Sequence, residues 1–132
     1  MSAWRRQIIE RLPEFRTLAE TAENPMALWI ELLYPCEEAC KRGDGDLVSR
    51  VYAAARWFFE SPSDDLRTAV VCAFYEHLPR SAMLWEDLPR RMSHSEFRTI
   101  RPCLEYHSTP EQIERQERRL VEIRAEIAGG LL

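Results

Sequence analysis

The sequence predicts an all-α fold, a single-domain multi-helix bundle of about seven helical segments spanning residues 1–132. Three observations predict it. Glycine is scarce, with four in the chain and two of those in the last four positions. Ala, Leu, Glu and Arg, which lose little freedom in a helix, are abundant. Apolar residues recur at helical spacing between prolines and capping residues. Apolar residues make up 45% of the chain and charged residues 30%, the range of an ordinary globular domain. A chain of this size buries roughly two thirds of its unfolded surface, so its core needs neither disulfide nor metal. Stacked helical hairpins, resembling a short α-solenoid, are the alternative arrangement of the same segments.

The segments follow in order. Residues 3–12 carry Trp4, Ile8 and Ile9 up to Pro13, which interrupts the helix and restarts a short one bearing Phe15 and Leu18. Asn24 caps the next helix with Pro25 at its first position, where a missing N–H costs nothing. Leu28, Trp29, Leu32, Leu33, Cys36, Ala39 and Cys40 share one face of it, with Glu31, Glu37 and Glu38 on the other, and Pro35 is expected to kink or split it. After the Gly43-Asp44-Gly45-Asp46 turn, Asp46 is the expected cap of a helix whose apolar arc includes Val48, Val51, Ala55 and Phe58. Ser61 and Asp64 are spaced as a capping box for a helix over 64–78, apolar around most of its circumference and therefore central. Ser81 to Leu88 form a short helix closed by Pro89, Ser93 and Glu96 box the next, and Thr109-Pro110 open the last, which Gly129-Gly130 end.

That last helix has a narrow stripe of Ile113, Leu120 and Ile127 and i,i+4 pairs Glu111–Arg115 and Glu114–Arg118. The near-heptad spacing suits either its own bundle or a partner, including a homodimer through this helix.

Net charge is −4, which argues against a nucleic-acid partner needing a dominant basic surface. Its distribution is uneven: residues 20–65 carry ten acids against four bases. Gathered by folding, such charge prefers a protein partner with a basic surface; the plain alternative is a solvated rim. The N-terminus lacks the apolar core of a signal peptide, and no stretch of roughly 18 apolar residues spans a membrane. The expected compartment is the cytoplasm, with Cys36, Cys40, Cys72 and Cys103 as reduced thiols.

Asn24-Pro25, the tryptophan of AAARWFFE (Trp57) and FYEHLP (Phe74 to Pro79) resemble a group of small uncharacterised bacterial proteins, over about residues 10 to 120. The resemblance implies a bacterial helical domain and brings no activity or catalytic residues.

Candidate chemistry is sparse. Cys36 with Cys40, and Cys103 with His107, are i,i+4 pairs that hold zinc only if they converge; buried as small hydrophobes, they need no metal. His77, with Glu76 beside it, is a candidate for proton transfer or ligand binding, but neighbours in a helix point about 100° apart, and a helix-end histidine is the structural alternative. Trp85, in a short proline-bounded segment, is the tryptophan suited to a partner contact. No phosphate loop, G-x-S-x-G or H-E-x-x-H occurs, and no cofactor or catalytic residue is assigned. The functional reading is a non-catalytic protein-binding module, of immunity or antitoxin type against a basic partner. The alternatives are a small-ligand binder or enzyme with a pocket near His77, Glu76 and Tyr52, and a zinc or thiol site.

Overall fold

The computed structural model describes residues 1–130, and its regular elements are eight α-helices and three short 3-10 turns, with no strand among the described residues. The fold class is all-α, as expected. By its internal packing the chain divides into two compact units, Met1–Phe74 and Tyr75–Leu132.

In the first unit, α1 (Ala3–Arg11) stops before Pro13, which has no N–H to continue the ladder. A 3-10 turn, Pro13–Phe15, leads into α2 (Arg16–Thr21), which packs on α1. Arg5 lies over the Trp4 ring at 4.2 Å and donates to the Ala19 carbonyl at 2.7 Å, tying the two helices together. The long helix α3 (Pro25–Lys41) begins as expected, with the Asn24 side chain accepting from the Ala27 amide at 2.8 Å. Pro35 does not split it. The carbonyl deprived of a donor by Pro35 belongs to Glu31, an exposed residue, so the loss falls on the solvent side of the helix and not in the core.

Two caps differ from expectation. Asp44, and not Asp46, caps α4 (Gly45–Phe59), accepting from Leu47 N at 3.1 Å. Gly43 takes a φ of +77° immediately after α3, so the turn is complete by Asp44 and the helix starts early. Asp46 sits in the first turn and accepts from Arg50 Nε at 2.9 Å. Likewise Ser63 caps α5 (Asp64–Ala73), and no Ser61–Asp64 box forms. Ser61 still donates its amide to the Phe58 carbonyl, as the tail of α4, and its Oγ accepts from Ser63 N.

The expected helix over 64–78 ends at Ala73, with the chain turning at Phe74 (φ −126°, ψ −70°) into a 3-10 turn, Tyr75–Arg80. Pro79 supplies no amide for the Tyr75 carbonyl and its ring crowds it, which disfavours an α-helix through 75–79. The centre of this unit is instead an aromatic cluster held by α3, α4 and α5, which pack on one another. Phe58 lies 5.3 Å from Trp29 and 5.4 Å from Trp57; Phe74 lies 5.2 Å from Trp29 and 5.4 Å from Tyr52. Trp29, Phe58 and Phe74 are all fully buried.

Arg50 joins three segments: it donates to the Arg11 carbonyl at 3.0 Å and, through both terminal nitrogens, to Glu14 at 2.7 and 2.6 Å. Its hydrogen bonds hold the Glu14 carboxyl down at about 2. A depressed carboxyl stabilises the fold above its unfolded value of 4.5 and loses that contribution as pH falls towards about 2. Glu14 is partly exposed, so screening keeps the contribution near or below ~1 kcal/mol. Glu14→Gln is therefore expected to shift the urea midpoint slightly down near neutrality and not at all near pH ~2. A deficit that persists in acid contradicts the assignment.

In the second unit, Ser81 caps α6 (Ala82–Asp87), a 3-10 turn Leu88–Arg90 follows, and Ser93 with Glu96 forms the expected capping box of α7 (His94–Leu104). Thr109 and Gln112 form another for α8 (Pro110–Ala128). Leu78, Leu84, Leu88, Phe97 and Leu104 are fully buried. The last helix lies on its own unit, against α7 and the Leu88–Arg90 turn, burying Ile113, Gln116 and Leu120. Gln116 donates to the Trp85 carbonyl at 2.5 Å and accepts from Arg119 at 3.0 Å. The expected Glu111–Arg115 and Glu114–Arg118 pairs do not form; α8 reaches across instead, with Arg119 on Glu86 at 2.8 Å and Glu117 on Arg101 at 2.7 Å. Pairs along one exposed helix gain only tenths of a kcal/mol, too little to hold those four side chains in a fixed geometry. No helix among the described residues is long and apolar enough to cross a membrane.

Candidate functional site

Glu76 and His77 stand on the 3-10 turn Tyr75–Arg80, both half-buried, because the helix expected to carry them has already ended. His77 does not pair with Glu76. Its ring stacks on His107, with centroids 5.2 Å apart and planes 25° from parallel, and Glu76 Oε1 lies 3.9 Å from His107 Nε2. Arg80 Nη1 sits 3.4 Å from His77 Nδ1. The chain thus gathers a carboxylate, two imidazoles and a guanidinium. Sequence spacing linked His107 only to Cys103; its place against His77 depends on the turn that follows α7 at Leu104, which no local pattern encodes.

Stacked rings turn their faces, and not their nitrogen edges, towards each other. Among the described residues no group of three or more His, Cys, Asp or Glu side chains is arranged to hold a metal ion. Cys36 and Cys40 belong to the first unit, Cys103 and His107 to the second; all four cysteines are thiols, Cys36 buried and the others half-buried. Tyr52, considered with His77 for a pocket, is a buried member of the first unit's aromatic cluster. Trp85 is half-buried on α6, and its carbonyl is occupied by Gln116.

A second cluster escaped sequence reasoning altogether. His94 Nε2 lies 2.8 Å from Glu117 Oε2, and Arg101 donates to the other oxygen of Glu117 at 2.7 Å. The His94 hydrogen bond, reinforced by Arg101, holds the Glu117 carboxyl below the usual carboxylate range. These residues are 16 and 23 positions apart, so only the packing of α8 on α7 brings them together. Arg101, Glu117, Arg118 and Val121 line an open groove of about 480 Å³ along these helices. Its charges are mixed in sign, and both carboxylate oxygens of Glu117 are already taken by partners.

The first unit is different. Each of its basic side chains is engaged: Arg5, Arg6 and Arg11 by backbone or amide oxygens, Arg16, Lys41, Arg42, Arg50 and Arg67 by carboxylates, and Arg56 by a further interaction. Its acids are in surplus. Glu10, Glu23, Glu31, Glu37, Glu60 and Asp65 stand outside these pairs, and all but the half-buried Glu37 are exposed. On α3 the same surface carries two large exposed apolar side chains one turn apart, Ile30 at 59% and Tyr34 at 66%.

A family model described as "Domain of unknown function (DUF7674)" matches residues 5–106, from within α1 through α7, and stops before α8. No curated protein and no solved structure matches the chain.

Proposed function

The chain belongs to that domain family, and from this premise we propose that it is a non-catalytic protein-binding module whose partner presents a basic surface. One observation carries the reading: Met1–Phe74 holds twelve acidic side chains against nine basic ones, and six of its carboxylates stand outside the ion pairs. A net excess of surface charge of one sign steers an oppositely charged partner and speeds its association. An immunity- or antitoxin-like role, in the cytoplasm of a bacterial cell, is the form of this function that an acidic helical domain suits. The alternative, a small-ligand site, has its place at His77, His107 and Glu76, where two imidazoles and a carboxylate meet.

The test is affinity capture from the source cell with the native chain and with a variant carrying Glu23→Gln, Glu31→Gln, Glu37→Gln and Asp65→Asn. The native chain is expected to retain a basic protein at about 0.05 M salt and release it by about 0.5 M, where screening shortens to a few ångströms. The variant is expected to retain at least about tenfold less, a loss of ~1.4 kcal/mol or more. A captured partner held equally by both proteins contradicts the proposal, and a His107→Ala variant that alone loses it favours the small-ligand alternative.

A further inference from the structure

Resting on that binding reading, we infer that the outer face of α3 docks an amphipathic, basic helix of the partner protein. The inner face of α3 is committed: Leu28, Trp29, Leu32, Cys36 and Ala39 are fully buried against α4 and α5. On the opposite side Met26, Ile30 and Tyr34 follow one another at i,i+4 spacing, a row of apolar side chains about 12 Å long at 1.5 Å per residue. Single exposed apolar residues are ordinary on any surface, but two at more than half exposure on successive turns form a ridge. At its N-terminal end the ridge meets a hollow of about 270 Å³ lined by Pro25, Met26 and Thr68.

Charge complementarity identifies the occupant. Glu37 lies on the same face as Ile30, two turns on, and Glu31 flanks it; neither is in an ion pair. Asp65, likewise outside the ion pairs, lines the hollow. An i,i+4 ridge packs into the groove between rows of a second helix at about 8–10 Å, so a helical segment fits it better than an extended one. That segment needs aliphatic side chains along its centre, to cover Ile30 and Tyr34, and Lys or Arg at its edges, to meet Glu31, Glu37 and Asp65. The Tyr34 hydroxyl supplies a polar tip at the rim.

Two synthetic helical peptides of about 18 residues, equal in length and lysine content, test this: one has leucine along its apolar face, the other alanine. Titrations followed by amide chemical shifts of the isotopically labelled chain read both affinity and location. The leucine peptide is expected to bind about tenfold more tightly, with the largest shifts in Met26 to Lys41. Ile30→Ala with Tyr34→Ala is expected to abolish that preference; both side chains are exposed and alanine favours helix, so thermal unfolding should be almost unchanged. Equal affinity for the two peptides overturns the α3 assignment while leaving the acidic-surface reading standing, as do shifts centred elsewhere in Met1–Phe74; shifts centred beyond Tyr75 overturn both. Failure of both peptides to bind overturns both.

Discussion

Phe58→Ala is expected to lower the unfolding free energy of the first unit by about 3–5 kcal/mol, close to the limit a small domain survives. Phe58 has no exposed surface and contacts three tryptophans, Trp4 at 6.5 Å, Trp29 at 5.3 Å and Trp57 at 5.4 Å, each edge-on. Removing the ring forfeits its transfer energy and leaves a cavity between α1, α3 and α4 that rigid indoles cannot fill. Edge-to-face pairs add about 0.5–1.5 kcal/mol each beyond area. Phe58→Leu keeps most of the volume and is expected to cost less than half as much. Urea unfolding monitored by tryptophan emission reads both; a loss below ~1.5 kcal/mol for the alanine variant contradicts this packing.

The second large effect is at Gln116. The residue is 3% exposed, and its amide donates to the Trp85 carbonyl at 2.5 Å and accepts from Arg119 at 3.0 Å, so α8 is fastened in part by a polar contact. Gln116→Met keeps the volume and leaves the Trp85 carbonyl without its donor, which costs about 1–3 kcal/mol. Gln116→Ala adds a cavity and is expected to cost about 2–4 kcal/mol. If methionine proves neutral or stabilising in thermal unfolding, the carbonyl is satisfied in some other way and the contact is incidental.

Local signals in the sequence identified the elements well wherever a second signal backed the capping residue. Asn24 before Pro25, Ser93 three residues before Glu96, and Thr109 before Pro110 each have one, and each is the cap. Where candidates crowd together, the preceding element decides. The left-handed Gly43 closes α3 early enough for Asp44 to cap ahead of Asp46, and Ser61 is still bonded to Phe58, leaving the role to Ser63. The apolar pattern continues unbroken through FYEHL, so periodicity alone overran the end of α5, while Pro79 acts four residues back on the carbonyl of Tyr75.

The candidate sites were less visible because they are tertiary. The acidic surplus of residues 20–65 shows in a count, but which carboxylates stay unpaired depends on partners far away in sequence: Glu14 is taken by Arg50, 36 positions on. His107 against His77 and Glu117 between His94 and Arg101 are likewise products of packing. The Ile30–Tyr34 ridge was in plain view at i,i+4, yet apolar residues in a helix read as core until the burial of the opposite face is known.

The central claim, that the first unit's acidic surface is the binding surface, is most directly tested by hydroxyl-radical footprinting of the chain with and without its captured partner. Met26 and Tyr34 are reactive reporters on α3, while Met83 and Tyr106 report from the second unit, where both are exposed. Oxidation of Met26 and Tyr34 is expected to slow at least about fivefold in the complex, as burial under a well-packed interface excludes water, with Met83 and Tyr106 unchanged. Protection of Met83 and Tyr106 with Tyr34 still fully reactive contradicts the account.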